Sequence, residues 1–175
     1  MSTLKIPVSE RDHVQGEENA PCTLVEYGDY ECPHCRAAHP VIRRLERHFG
    51  GRLRFVFRNF PLTQIHRNAQ SAAETAEFAA AGGKFWEMHD LLFHNQERLG
   101  SALFEELVSQ LGLDADELRK SLEEGTYTSL VREDFTGGVR SGVNGTPTFF
   151  INGDRHNGPH DFEHLSAKIE AALQG

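Results

Sequence analysis

The spacing of apolar residues switches from strand-like to helical and back within the first sixty positions. Residues 23–27 and 53–60 are short β-branched and apolar runs ended by Gly28 and Pro61, and each is predicted to be a buried strand. The stretch between them carries an apolar stripe with helical spacing: Ala38, Val41, Ile42, Leu45 and Phe49. Pro40 lies within that stripe and is expected to kink the helix without ending it. This order of elements predicts a parallel strand pair joined by a right-handed crossover.

From residue 65 to residue 142 the pattern is almost purely helical. Helices are predicted over residues 68–81, 84–98, 102–110 and 127–142, and a further helix begins after Asp114. Ser101 is expected to cap the helix over residues 102–110, and Asp114 forms a capping box with Glu117. Strand signal returns at residues 146–151, where Asn152-Gly153 predicts a hairpin into a short strand. An amphipathic helix over residues 161–173 closes the chain.

These elements place the chain in the α/β class and divide it into three segments. Residues 1–64 form an N-terminal arm and a βαβ unit, residues 65–142 form a helical insertion, and residues 143–175 form a ββα unit. A chain of 175 residues that is 38% hydrophobic is long enough to bury one well-formed core.

Composition and charge limit which partners the chain is expected to bind and where it is expected to be located. The formal charge of -8 argues against a nucleic-acid surface, because a polyanion is bound by clustered Lys and Arg. No stretch approaches the roughly 20 apolar residues of a membrane span. The first twenty residues lack the continuous apolar run of a secretory signal. The expectation is a cytoplasmic protein, or a periplasmic one if a leader has been removed.

Two of the three cysteines stand close together in the sequence ECPHC, residues 31–35. Proline is favoured at the first helical position, and placing Pro33 there makes Cys32 the N-cap residue. The backbone N–H groups of His34 and Cys35 then face the Cys32 sulfur, which also lies at the positive end of the helix dipole. Both effects favour a thiolate, which is the nucleophilic form of cysteine.

Cys35 is predicted to be the partner of Cys32 in a redox couple. It lies one helical turn further along on the same face, within reach of the Cys32 sulfur, and is expected to be the less exposed, resolving thiol. His34 adds a donor or a positive charge near the Cys32 sulfur and so favours its thiolate. A stabilised thiolate favours the reduced form, which makes the disulfide a stronger oxidant.

Two alternative roles for the cysteine pair stay open at this point. The pair is also compatible with two inert buried thiols, or with a zinc site that uses His39 and His48, although that ligand spacing fits no common pattern. Cys22 is interpreted as a small buried hydrophobic residue, with a third redox role as the alternative. No metal or cofactor is expected.

With these motifs together, the chain resembles the DsbA-like branch of the thioredoxin superfamily. The resemblance rests on the strand TLVEYGDYEC that runs into CPHC, the kink at Pro40, the late segment GTPTFF and the helical block between the two halves. It covers residues from about 12 to 173, and it extends to thioredoxin domains related to sodium/proton antiporter tails. It implies a thioredoxin-like fold, βαβ…ββα, with an inserted helical domain.

The resemblance also implies roles for individual residues. Cys32 corresponds to the attacking cysteine and Cys35 to the resolving one, while Pro147 corresponds to a cis-proline that lies against them and helps to bind substrate. The Thr146 hydroxyl is expected to hydrogen-bond the Cys32 sulfur. Glu26 matches a buried acid that relays a proton to the resolving thiol. Burial would raise the pKa of the Glu26 carboxyl group, which suits this role. A trans Pro147 and a solvent-facing Glu26 are the alternatives.

The predicted function is that of a protein disulfide oxidoreductase. Its substrates would be protein thiols and disulfides, with a redox partner protein or glutathione as a further partner. Two alternatives differ in class: a non-catalytic redox-sensing or partner-binding module, and a glutathione-transferase-like isomerase on the same architecture. The second cysteine weighs against the isomerase, whose relatives usually keep a single nucleophile.

Overall fold

The computed structural model describes residues 2–175 and is built around one mixed five-stranded sheet in the order β1-β3-β2-β4-β5. The strands are β1 (His13–Gln15), β2 (Cys22–Gly28), β3 (Leu53–Asn59), β4 (Thr148–Ile151) and β5 (Asp154–Arg155). The central strand β2 pairs in parallel with β3 and antiparallel with β4. The predicted parallel pair and late hairpin are therefore confirmed, and the N-terminal arm adds the edge strand β1.

Within residues 2–175, seven α-helices surround the sheet. They are α1 (Pro33–Phe49), α2 (Ala69–Ala81), α3 (Phe85–His94), α4 (Ser101–Gln110), α5 (Ala115–Glu124), α6 (Thr128–Arg140) and α7 (Phe162–Gln174). Short 3-10 turns follow α1 (Gly50–Arg52) and α3 (Gln96–Arg98). Pro40 lies inside α1, which continues beyond it as predicted. Among the described helices, none is long and apolar enough to cross a membrane.

The helix termini test the predicted caps. The Asp114 carboxylate accepts hydrogen bonds from the backbone N–H groups of Asp116 and Glu117, at 2.8 and 3.1 Å, so the predicted cap of α5 is confirmed. The prediction that Ser101 caps α4 is wrong, because Ser101 is the first helical residue and Gly100 is the cap. Glycine competes with serine for this position, and the two stand side by side in the sequence.

Alternation along the strands divides the buried residues into two clusters. Leu24, Phe55 and Phe149 lie in a large cluster that contains the apolar face of α1 and both Cys32 and Cys35. Their strand neighbours lie in a smaller cluster under the N-terminal arm and α6, formed by Val25, Tyr27, Val56, Phe60, Val143 and Phe150. Because side chains on one face of a strand recur every second residue, Glu26 points to the same face as Leu24. That face carries the cysteines.

Candidate active site

The cysteine pair lies at the start of α1, directly after the central strand. Cys32 is the N-cap residue in extended conformation, and Pro33 occupies the first helical position. The backbone N–H of Cys32 donates to the Asp29 carbonyl at 3.1 Å, and the Cys32 carbonyl accepts from the Arg36 N–H at 3.1 Å. Cys32 is 4% exposed and Cys35 is fully buried, while Pro33 is exposed. The first sulfur therefore lies at the rim of the core and the second beneath it.

The surroundings of Cys32 stabilise its thiolate. Its pKa is lowered to about 5, chiefly because the Cys35 thiol donates to its sulfur; Thr146 and the backbone amides of Cys35 and His34 act in the same direction, and burial opposes them. Neither amide completes a geometric hydrogen bond to the sulfur. Their effect is therefore mainly that of partial positive charges at the helix N-terminus. At pH 7 about 99% of such a thiol is ionised.

Cys35 has the opposite character. Burial raises its pKa well above the ordinary value, and the charges of Glu26 and Cys32 raise it further. Its sulfur accepts the Asp29 backbone N–H at 3.4 Å, which opposes these effects without reversing them. All three cysteines are reduced, and burial raises the pKa of Cys22 to about 11. The pair thus combines one ionised thiol with one protonated thiol.

A loop that precedes β4 covers the Cys32 sulfur. The peptide bond between Thr146 and Pro147 is cis, and the Cys32 sulfur lies 3.6 Å from the Thr146 carbonyl oxygen, to which it can donate only when Cys32 is protonated. The expected hydrogen bond from the Thr146 hydroxyl is not formed, and that buried oxygen has no partner among the described residues. The hydroxyl nevertheless lowers the pKa of Cys32, so it is close enough to stabilise the thiolate.

Glu26 is buried behind the two thiols. It is 2% exposed, and burial, reinforced by the charge of Cys32, raises the pKa of its carboxyl group to about 8. Its Oε1 atom has no hydrogen-bond partner among residues 2–175. An unpaired acid that titrates near neutral pH is suited to exchanging a proton with a neighbouring thiol.

Gln96 supports the nucleophile and was not identified in the sequence. Its side-chain amide donates to the carbonyl of Tyr30 at 2.8 Å and to the carbonyl of Cys32 at 2.9 Å. Gln96 lies in the 3-10 turn after α3, more than sixty positions along the chain from either partner. Because it joins the helical block to the segment that carries Cys32, it fixes the direction in which the N-cap residue enters the helix.

Asp29 anchors the loop on the other side of the pair. Its buried carboxylate accepts from the backbone N–H groups of Glu31, at 2.7 Å, and Leu62, at 2.9 Å. His66, to which the sequence assigned no role, contacts the same carboxylate through Nδ1 at 2.8 Å.

His34 was expected to favour the Cys32 thiolate through its side chain. The His34 side chain is exposed, and the residue lowers the pKa of Cys32 through its backbone amide.

Histidines also fill the contact between α1 and α3. His89 is buried, Tyr30 lies 2.9 Å from its Nδ1, and burial lowers its pKa to about 3. His39 contacts Asp90 at 2.8 Å. In the described part of the chain, only His39, His89 and Asp90 bring three potential metal ligands within 4.8 Å of one another. Neither active-site cysteine belongs to that group.

Comparison with known proteins gives related sequences. A sequence model of the thioredoxin family matches residues 8–171. The Na(+)/H(+) antiporter NhaA 1 of Salinispora arenicola is 46% identical over 173 residues, which is 98% of this chain and 26% of that protein. A second antiporter, NhaA 3 of Salinispora tropica, is 45% identical over 171 residues. This chain therefore spans about a quarter of the length of the curated relatives that it matches.

Comparison with solved structures gives the fold. BdbD from Bacillus subtilis, in the oxidised form, superposes on this chain with a TM-score of 0.89 at 25% sequence identity, and the alignment covers 99% of each chain. The alpha-DsbA1 protein of Wolbachia pipientis superposes with a TM-score of 0.84 at 19% identity, over 98% of this chain and 94% of the other. The predicted DsbA-like thioredoxin fold with a helical insertion is confirmed.

Proposed function

The chain belongs to the thioredoxin family, and from this premise we propose that it is a thiol–disulfide oxidoreductase that exchanges disulfides with proteins through Cys32 and Cys35. The observation that carries the proposal is the placement of the two thiols: Cys32 caps the N-terminus of α1 beside Thr146, and Cys35 lies fully buried beneath it. The pKa of Cys32 is lowered to about 5, whereas that of Cys35 is raised well above its ordinary value. One thiol is thus ready to attack while its neighbour stays protonated until it is needed.

In the reducing direction, the Cys32 thiolate attacks one sulfur of a substrate disulfide. The substrate S–S bond breaks, a mixed disulfide forms with Cys32, and the other substrate sulfur leaves as a thiolate. The Thr146 hydroxyl and the amides at the start of α1 hold the attacking charge before this step.

Cys35 then resolves the mixed disulfide. Once deprotonated, it attacks the Cys32 sulfur, the Cys32–Cys35 disulfide forms, and the second substrate thiolate leaves, so that two electrons have passed to the substrate. Glu26 is the proposed acceptor of the Cys35 proton, since its carboxyl group has a pKa of about 8 and points to the face of the sheet that carries both thiols. The same steps in reverse oxidise a substrate dithiol.

Substitution of each cysteine tests the proposal. In an insulin-reduction or oxidative-refolding assay, Cys32→Ser is expected to abolish turnover, and Cys35→Ser is expected to accumulate a mixed disulfide with the substrate. Cys22→Ser is the matched control, since burial raises the pKa of Cys22 to about 11 and keeps it a poor nucleophile. Wild-type turnover in both active-site variants would overturn the proposal.

A second candidate function is favoured by the curated relatives. Those relatives are named as antiporters and are about four times as long as the chain, which matches them over nearly its whole length. A redox-sensing module would use the Cys32–Cys35 bond to change how the chain contacts a partner, with little turnover of generic disulfides. Capture of the same partners by the oxidised and reduced forms would count against this candidate. The location, cytoplasmic or periplasmic, stays a prediction.

A further inference from the structure

A polar cavity of about 370 Å³ opens beside the loop that covers Cys32. Thr146 and Pro147 form one wall, and the other walls are contributed by the loop before them and by the segment after β5. The principal polar side chains that line it are Asn144, Arg155, His156, Asn157 and His160. Since Thr146 also contacts the Cys32 sulfur through its carbonyl oxygen at 3.6 Å, the cavity adjoins the reacting atom.

The cavity carries positive charge and no carboxylate. Arg155 donates through Nη1 to the Gly142 carbonyl at 2.8 Å, and no acidic group lies within ion-pair distance of its guanidinium among residues 2–175. The nearest acid after the cavity, Asp161, is used within its own helix, where it accepts the His164 backbone N–H at 2.8 Å.

Imidazole groups extend this polar surface from the cavity toward the cysteines. His160 is stacked edge-on against Phe149, with ring centroids 5.1 Å apart. Burial lowers the pKa of His160, the charges of His156 and His34 lower it further, and Asp161 opposes them. The ring centroids of His156 and His160 lie 6.1 Å apart. An anionic group placed here would meet the permanent positive charge of Arg155 and the imidazoles of His156 and His160, while Asp161, whose charge acts on His160, does not line the cavity.

We propose that this cavity binds an acidic side chain of the substrate, carried by a residue next to the cysteine that reacts with Cys32. The inference rests on the proposed function and adds a substrate class to it. An extended peptide advances about 3.3 Å per residue. A substrate whose cysteine reaches Cys32 at the Thr146 wall therefore brings an adjacent side chain to the cavity.

The test uses single-cysteine peptides in which the residue beside the cysteine is Glu, Gln or Lys. Each peptide is joined through a disulfide to a chromophoric thiol; the Cys32 thiolate attacks the peptide sulfur, that S–S bond breaks, and the chromophoric thiolate leaves. The Glu peptide is expected to react about fivefold faster than the Gln peptide at low salt, and the Lys peptide more slowly than either. Added salt should reduce the difference.

Variants of Arg155 decide whether the cavity is the cause. Arg155→Gln is expected to reduce the ratio of the Glu-peptide rate to the Gln-peptide rate from about five to about one, and Arg155→Lys is expected to retain the preference for Glu. Arg132→Gln is the control, because Arg132 is an exposed arginine on α6 that does not line the cavity. Equal rates for the three peptides, or a preference that persists in Arg155→Gln, would overturn the inference alone. Failure of every peptide to react would instead overturn the proposed function.

Discussion

The buried Cys35 thiol should control the acidity of Cys32. It is the largest cause of the lowered pKa of Cys32, which is about 5. A hydrogen bond to a charged group contributes about 1.5–3 kcal/mol, and one pKa unit corresponds to about 1.4 kcal/mol. Cys35→Ala deletes this donor and is therefore expected to raise the pKa of Cys32 by about 1–2 units, to between about 6 and 7. Cys35→Ser keeps a donor of similar reach and is expected to stay closer to the wild-type value.

The thiolate absorbance of the reduced protein, recorded against pH, measures this change. Subtraction of the Cys32→Ser titration isolates the signal of Cys32. Cys22 does not interfere, because its pKa is raised to about 11 and lies outside the range of interest. A Cys35→Ala variant that titrates at the wild-type pKa would refute the assigned cause. A Cys35→Ser variant that shifts as far as Cys35→Ala would show that the hydrogen-bond donor is not what matters.

Three further predictions concern Glu26, Gln96 and the packing of α6 against the sheet. The pKa of Glu26 is about 8 in the folded protein, against an ordinary value of 4.5. The free energy of unfolding of the wild type should therefore fall, relative to that of Glu26→Gln, as the pH rises from about 4.5 to about 8. Urea unfolding at pH 7 should show a loss of about 3 kcal/mol. Gln96→Ala removes one hydrogen bond from each of two carbonyls, of which that of Cys32 keeps the Arg36 N–H as a donor. It should lower the free energy of unfolding by about 1–3 kcal/mol and slow the reaction of Cys32 with a model disulfide. Gly138→Ala would place a Cβ atom 2.7 Å from an aromatic ring and should cost about 1–3 kcal/mol, whereas Gly51→Ala, with an ordinary contact at 3.7 Å, should be nearly neutral.

Local sequence signals predicted the part of the site that depends on neighbouring residues. Pro33 marks the first turn of α1, which fixes Cys32 as the N-cap residue and places Cys35 on the buried face. Alternation along β2 gives Glu26 its side of the sheet. Asn152 and Gly153 both adopt positive φ angles, 47° and 89°, as the hairpin turn requires. Because Asn-Gly favours such a turn, these two residues were enough to predict it.

Contacts between distant segments were not predictable in the same way. Gln96 stands in a polar turn with no periodicity of its own, and its role depends on how α3 packs against α1. The choice between the carbonyl and the hydroxyl of Thr146 depends on the backbone path of a loop more than a hundred residues from Cys32. Likewise, the sequence does not show that Asp161, a few residues after Arg155, accepts the His164 backbone N–H of its own helix and forms no ion pair with Arg155.

Equilibration of the protein with glutathione redox buffers tests the central claim most directly. A thiolate pKa of about 5 for Cys32, against about 7 for thioredoxin, should by itself make the disulfide about 50 mV more oxidising than the thioredoxin value of about -270 mV. We predict a single two-electron transition that joins Cys32 to Cys35, leaves Cys22 as a free thiol and has a midpoint near -220 mV, within about 30 mV. A midpoint at or below that of thioredoxin, or the absence of a disulfide between Cys32 and Cys35 in oxidising buffer, would contradict the account.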